Sequence, residues 1–249
     1  MSIIVKNDEQ VNAMRAANLI VAKTHELLEQ AICPGMTTLD LDKIAEEFII
    51  KSGAVASFKG YRGYPSSICT SINEEIIHGI PSLRKLKDGD IIGIDIGAFK
   101  DGYHGDAART HAVGNISDEA RKLINVTRQS FYEGIKFAKS GIHLYEVSKA
   151  IQSYVESNGF SVVRDYCGHG IGREMHEAPE VLNYKPPGRG PKLVKGMTLA
   201  IEPMVNVGEY SINVLEDGWT VVTKDGSLSA HYENTVLITD GEPDILTII

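Results

Sequence analysis

Apolar residues recur at helical spacing between Asp8 and Ile32, at Val11, Met14, Val21, Leu28 and Ile32, and Pro34-Gly35 stops the pattern. Thr37 is placed to cap a second helix, Thr38 to Ser52, with Leu41, Ile44, Ala45 and Phe48 on one face and Gly53 at its end. The same order returns later. Ser117 to Lys139 predicts a long helix, Ser140-Gly141 breaks it, and Leu144 to Ser157 predicts a shorter one ending at Asn158-Gly159. In this alignment Gly35 falls on Gly141, Leu41 on Val147, Lys43 on Lys149, Phe48 on Tyr154, Ile49 on Val155 and Gly53 on Gly159, the mark of a duplicated half. Strand patterns follow each helical pair: Ser67–Ile72, Ile91–Phe99 and Gly102–Val113 after the first, then Ser161–Arg164, Thr198–Val207, Trp219–Thr223 and Leu228–Thr239 after the second. Asp101-Gly102 and Asp225-Gly226 read as hairpin turns, and Lys185–Pro191 as a surface loop. The pattern predicts one α+β domain over 1–249, with pseudo-two-fold halves at about 8–113 and 117–239 and no linker.

Composition narrows the function. The 249 residues carry 25 Lys and Arg against 33 Asp and Glu, a net charge of −8. Such a chain gains nothing from phosphate-backbone attraction, which disfavours a nucleic-acid or membrane-surface role. No segment has the length and apolarity of a membrane span, and the first ten residues lack a signal-peptide pattern. The three cysteines, Cys33, Cys69 and Cys167, are odd in number and widely spaced, which excludes a disulfide framework and a thiolate zinc cluster and fits a reduced cytoplasmic location.

The informative residues are acids inside apolar strands. Asp95 sits in IIGIDIG, Glu202 in LAIEPMV, and Glu233 just before NTVLI, with no Lys or Arg nearby in these segments. A buried carboxylate costs several kcal/mol unless a cation meets it or it stays protonated. Asp106 joins them through the hairpin. A turn at Lys100-Asp101 sets Asp95 opposite Asp106; a turn at Asp101-Gly102 sets Asp106 opposite Gly97, on the same strand face as Asp95. Either register puts the two carboxylates within side-chain reach, where they repel unless a positive charge lies between them. The segment Cys167–His176 adds His169 and His176 in a glycine-rich stretch. Four carboxylates balance two divalent cations, and one imidazole among oxygen ligands suits Mn, Fe, Co or Zn better than Ca or Mg. Composition reads His25, His104, His111, His143 and His231 as ordinary surface or core histidines, and Cys69 and Cys167 as small buried apolar residues.

These residues lie in motifs that resemble the type I methionine aminopeptidases along nearly the whole chain: GYRGYP at 60–65, SINE at 71–74, HGIP at 78–81, Gly89-Asp90 through Asp95, HGD at 104–106, GHGIG at 168–172, His176-Glu177, IEPM at 201–204 and Tyr232-Glu233. The resemblance implies the duplicated pita-bread fold, an antiparallel sheet covered by two helix pairs. It implies Asp95, Asp106, His169, Glu202 and Glu233 as ligands of two divalent metal ions, with Asp106 and Glu233 bridging, Asp95 on the first ion, and His169 and Glu202 on the second. It makes His78 the contact to the scissile amide, His176 the stabiliser of the tetrahedral intermediate and Glu202 the proton shuttle for an attacking metal-bridging hydroxide. The substrate's free amine can coordinate a metal, so a chain terminus fits. The pocket maps onto Phe58, Tyr61, Tyr64, Cys69, Met175 and Trp219, an aromatic and sulfur lining suited to a thioether.

The implied substrate is the N-terminus of a nascent polypeptide, losing its initiator methionine when the second residue is small. The implied setting is cytoplasmic and monomeric, with room for transient ribosome contact. The chain starts at its first helix and is short between His176 and Glu202, so neither an N-terminal zinc-binding extension nor the insertion of type II enzymes is expected. Phe58 replaces a frequent Cys, Gly97 a common Thr or Ser, Asn234 a frequent His, and Gly93 an Asn near a monovalent-cation site, which is therefore not expected. The competing readings are an X-Pro-directed peptidase on the same fold and a non-catalytic peptide-binding module. The first usually carries a large N-terminal domain, and the second usually loses ligands that are all present here.

Overall fold

A computed structural model describes residues 2–249. Helix α1 (Asp8–Ala31) opens on a capping box in which the Asn7 side chain accepts from the Gln10 N–H and the Gln10 side chain returns the bond. Helix α2 (Thr38–Lys51) repeats the device with Thr37 and Asp40. In the second half, α3 (Asp118–Ile135) is capped by Ser117, and α4 (Leu144–Ser157) matches its expected span. The duplication is visible in the backbone. Gly35 and Gly141 both turn at φ 91°, and Gly53 and Gly159 both close the shorter helices at positive φ, where a side chain would be strained.

One helix is shorter than its pattern. The chain leaves α3 at Ile135 because Phe137 and Ala138 take tighter bonds to the carbonyls three residues back, and Ser140 and Gly141 then donate to Thr239 and Leu193.

The strands form four antiparallel sheets rather than one. The first contains β1 (Val55–Ala56), β2 (Ile68–Ile72), β4 (Ile91–Lys100) and β5 (Tyr103–Ala112). A second sheet joins β3 (Glu75–Ile77) to β11 (Ile212–Val214) and β12 (Val221–Thr223). A third joins β6 (Ser161–Val162), β10 (Met204–Asn206) and β13 (Ser229–His231). The fourth runs β8 (Glu177–Val181), β7 (Gly168–Gly170), β9 (Thr198–Ile201), β14 (Asn234–Leu237) and β15 (Asp244–Ile245).

Two expected long strands are each interrupted, at Glu202-Pro203 and at Tyr232-Glu233. Proline cannot donate to a ladder, so the break at Pro203 follows from its chemistry. The register nevertheless survives: Asn234 opposes Ile201, His231 opposes Met204, and the Tyr232 N–H donates to the Pro203 carbonyl across the gap. Asp225-Gly226 does turn the chain, with Gly226 at φ 73°, but it is not a hairpin. Its flanking strands β12 and β13 belong to different sheets.

Alternation along the strands separates core from site. Ile92, Ile94 and Ile96 of β4 and Ala107 of β5 pack under Val21, Leu28, Leu41 and Ile49 of the first helix pair. Leu199, Ile201 and Val236 do the same under Leu123, Phe131, Val147 and Ile151. Each such side chain contributes about 1.5–3 kcal/mol on burial. The residues between them, Asp95, Gly97 and Ala200 among them, face the other side. Among the described residues no helix is long and apolar enough to cross a membrane.

Within the first core His25 is 5 % exposed, and a ring nitrogen, Nε2, lies 2.8 Å from the Ala107 carbonyl, to which it donates. Burial, and then the charge of Arg109, hold its pKa well below the usual imidazole value. The folded state therefore resists a proton that the unfolded state accepts. Stability is complete above about pH 6.5 and falls as the pH drops below it. Melting curves should show the wild type losing a few °C more than His25→Gln between pH 7 and pH 5, about 2–4 °C for each kcal/mol. Parallel curves would count against this origin.

Candidate metal centre and substrate pocket

The β4–β5 turn uses the second of the two registers open from the sequence. Asp101 and Gly102 both have positive φ, 51° and 82°, the geometry of a two-residue hairpin turn matched to strand twist. Gly97 therefore opposes Asp106, and Asp95 opposes Ala108. On the other half, the register shared by β9–β14 and β10–β13 sets Glu202 opposite Glu233. The two hairpins meet along β5. The Glu233 N–H donates to the Ala108 carbonyl at 2.9 Å, Thr235 Oγ1 donates to the Asp106 carbonyl at 2.9 Å, and Thr110 Oγ1 donates to the His231 carbonyl at 2.9 Å. This seam brings both carboxylate pairs together.

His169 enters from β7. It pairs with Ala200 and so shares the face of Glu202 two residues on. Its Nδ1 lies 2.9 Å from the Gly170 carbonyl and donates to it, which leaves the Nε2 lone pair free. That Nε2 stands 3.8 Å from Asp106 Oδ2 and 3.7 Å from Glu202 Oε1. Ligand atoms of Asp106, His169 and Glu233 all lie within 4.8 Å of one another.

Electrostatics make this cluster costly without a cation. Burial pushes Asp106, Glu202 and Glu233 well above the carboxylate range, Asp106 and Glu233 also by neighbouring carboxylate charge, and burial lifts Asp95 to about 7. Asp95 Oδ1, Asp106 Oδ1 and Glu233 Oε1 are buried with no hydrogen-bond partner. Burial also holds His169 down to about 3, so it is neutral and a competent ligand. Orphaned oxygens around a free imidazole lone pair fit divalent metal.

Beside the carboxylates lies a cluster of Phe58, Tyr64, Cys69 and Met175, with Tyr61, Ile80 and Trp219 packed against it. All six pocket residues expected from the sequence are in it, and Ile80 is an addition. Cys69 pairs with Asp95 across β2–β4, and burial keeps it a thiol. Cys167, expected to be buried, is only half-buried. His78 stands at the rim with its ring edge-on to Tyr166 and Trp219, at 5.6 and 6.3 Å. Its backbone is left-handed, φ 60°, and the following Gly79 presses so close to β2 that a Cβ would lie 2.1 Å from the Thr70 carbonyl oxygen. Such an outlier on a rim histidine is stored strain held by its surroundings. His176 reaches over from the other half, its ring 4.2 Å from that of His169 and its Nδ1 2.9 Å from the Tyr61 hydroxyl. Glu177, next to it, forms a buried ion pair with Lys6 at 2.5 Å, which ties the N-terminal segment to this loop.

Two participants escaped the sequence reading. His231, taken there as an ordinary histidine, has Nε2 3.5 Å from Glu202 Oε2. Alternation from Glu233 was the available signal, and the break at Tyr232-Glu233 obscured it. Arg109 donates from Nη1 to the carbonyls of Ala108 and Glu233 and from Nη2 to Asn234 Oδ1, and so holds the backbone of Glu233.

Gly97 sets the fit between centre and pocket. A Cβ there would lie 2.7 Å from Phe58 Cε1, 2.8 Å from Ser57 Cβ and 3.2 Å from Met175 Cε. Overpacking of this kind costs about 1–3 kcal/mol. Gly97→Thr should raise KM for a methionyl peptide about tenfold or more by pushing Phe58 into the pocket, and a second change, Phe58→Ala, should recover most of the loss. Steady-state kinetics on the single and double variants decide; an unchanged KM in Gly97→Thr would refute the contact.

A duplicated fold with acids of both halves on one seam around the His169 imidazole defines a metal-dependent hydrolase. Residues 12–240 match the family described as metallopeptidase family M24, and the chain belongs to that family. Within it the chain is 62 % identical over 247 residues to the methionine aminopeptidase of Clostridium acetobutylicum, covering 99 % of each protein. It is 56 % identical to methionine aminopeptidase 1 of Bacillus subtilis, with 98 % of this chain and 99 % of that one covered. The solved methionine aminopeptidase of Thermotoga maritima superposes with a TM-score of 0.97 at 46 % identity and full coverage of both chains. A prolidase from Pyrococcus furiosus shares the fold, with a TM-score of 0.78 at 24 % identity over 99 % of this chain and 66 % of that one.

Proposed function

We propose that Asp95, Asp106, His169, Glu202 and Glu233 hold two divalent ions drawn from Mn, Fe, Co and Zn, and that the chain uses them to remove N-terminal methionine from nascent polypeptides, with preference for a small second residue. The observation that carries this reading is the set of partnerless buried carboxylate oxygens facing a neutral imidazole beside a cluster of aromatic and sulfur side chains. Bound ions supply Lewis-acid polarisation of the scissile carbonyl and a water acidic enough to attack near neutral pH.

The chain's own residues do the rest. The pocket of Phe58, Tyr61, Tyr64, Cys69, Met175 and Trp219 takes the methionine side chain, its sulfur against aromatic faces. Glu202 accepts the proton of the attacking water at a carboxylate oxygen and passes it to the leaving amine. His78, at the rim, contacts the scissile amide. His176 receives the Tyr61 O–H at Nδ1, so its Nε2–H is the donor for the negative charge developing on the carbonyl oxygen. Burial, and then Arg62, lower the His176 pKa, so the ring is neutral in this role. On this reading the chain works as a monomer in the cytoplasm, on termini emerging from the ribosome.

The test is methionine release from Met-Ala-Ser by metal-stripped protein, with Mn(II) or Fe(II) added back anaerobically and an X-Pro peptide run in parallel. Metal-dependent release is expected. A folded, metal-loaded protein that releases nothing would leave a binding module, and cleavage of the X-Pro peptide alone would move the chain to the proline-directed branch.

A further inference from the structure

Away from the methionine pocket, α1 and α3 diverge over β5 and leave a cavity of about 520 Å³, a size typical of small-molecule sites. Three guanidinium groups line it: Arg109 from β5, and Arg121 and Arg128 from α3. Among the described residues the arginines in carboxylate ion pairs are Arg15 and Arg84, so none of these three has an acidic partner. Arg109 is half-buried, and its hydrogen bonds all go to neutral oxygens. Two tyrosine hydroxyls stand among these groups. Tyr132 Oη is 3.3 Å from Tyr232 Oη, with the Arg109 guanidinium 4.5 Å from the Tyr232 ring centre and that of Arg128 5.8 Å from the Tyr132 ring centre.

Glu26 and Glu29 also line the cavity, but both are exposed on α1 and free to turn to water. Three guanidinium side chains stand among these two side-chain carboxylates in a chain whose net charge is −8. Beneath, buried ring nitrogens of His25 and His111 have no hydrogen-bond partner. Guanidinium groups from the sheet and from α3 line the cavity together with two phenols, a lining that suits an oxyanion. The volume exceeds what phosphate alone needs, and Ile116, Ile124 and Ile248 provide apolar wall for an organic group.

We propose that the cavity between α1 and α3 binds the phosphoryl group of a small phosphate ester.

The test is a nitrogen-15 NMR titration of the metal-loaded protein, following the arginine Nε–H signals and backbone amides, with inorganic phosphate, adenosine 5′-monophosphate and adenosine as probes. The monophosphate should shift Arg121, Arg128 and the Ile124 amide and saturate. Arg121→Ala/Arg128→Ala should weaken this about tenfold or more while methionine release and melting temperature stay unchanged, because both side chains are exposed. Equal binding of inorganic phosphate would support the phosphoryl site with free phosphate as its ligand; binding of the monophosphate alone would support the ester. Shifts confined to the surroundings of His169 and His176, equal binding of adenosine, or no shift up to about 10 mM would each overturn the proposal.

Discussion

Replacing Asp106 by asparagine is expected to cut methionine release by about a thousandfold or more and, at the same time, to raise the melting temperature of the metal-stripped protein. Both effects come from one carboxylate. The proposed ions stabilise transition-state charge by several kcal/mol, which is the scale of the expected rate loss when a ligand is removed. Without metal the same group is a liability. Burial, then the charges of Asp95 and Glu202, push its pKa well above the usual range. A carboxylate whose folded pKa is raised binds its proton more tightly when folded. Its favourable contribution is complete below the unfolded pKa, and stability is lost as the pH rises through the folded value. For Asp95, lifted from 3.8 to about 7, the loss amounts to ~4 kcal/mol at alkaline pH. Asparagine at 106 carries no charge and removes one member of the repelling set. Metal analysis with calorimetry in chelator at pH 6 and pH 8 reads both effects. The metal-free wild type should melt lower at pH 8 than at pH 6, and the variant should reduce that gap. Full metal content and full activity in Asp106→Asn would remove this residue from the centre.

The second large effect belongs to His176. His176→Ala should lower kcat about 10²–10³-fold with little change in KM, the signature of a donor that acts on charge present only in the transition state. The ring is placed for this by the Tyr61 hydroxyl at 2.9 Å, with the two rings stacked at 5.4 Å between centres. Tyr61→Phe removes one neutral hydrogen bond, worth about 0.5–1.5 kcal/mol, and should cost at most about tenfold in kcat. Rates of both variants on Met-Ala-Ser settle the ranking. A loss confined to KM in His176→Ala would assign the ring to substrate binding instead.

Much of the fold was legible along the chain because helix caps, glycine stops and alternation are set within a few residues. Thr37 opened the helix it was placed to cap, and α4 kept its expected limits. The repeat was legible for the same reason, since Gly35 and Gly141 perform one local task twice. The acids at 95, 106, 202 and 233 stood out because a charge in an apolar strand conflicts with its surroundings. Turn chemistry was legible only as a turn. At Asp225-Gly226 it reverses the chain, but the sheet that receives β13 is chosen by β10, distant in sequence.

What the sequence alone determined was therefore the four helices and the principal strands, the duplication, and the parity that puts Asp95 and Asp106 on one face, while the short strands β1, β3, β7, β8, β11 and β15 were not read from it. Only the tertiary structure decided that Asp106 opposes Gly97, that Glu202 stands against Glu233 across the break at Pro203, that His231 touches Glu202, and that Phe58 rests on a glycine. The reason is physical. Periodicity and capping are energies between near neighbours in the chain, whereas these contacts arise from strand pairing and packing between segments about 10 to 40 residues apart, where one residue of register changes which side chains meet.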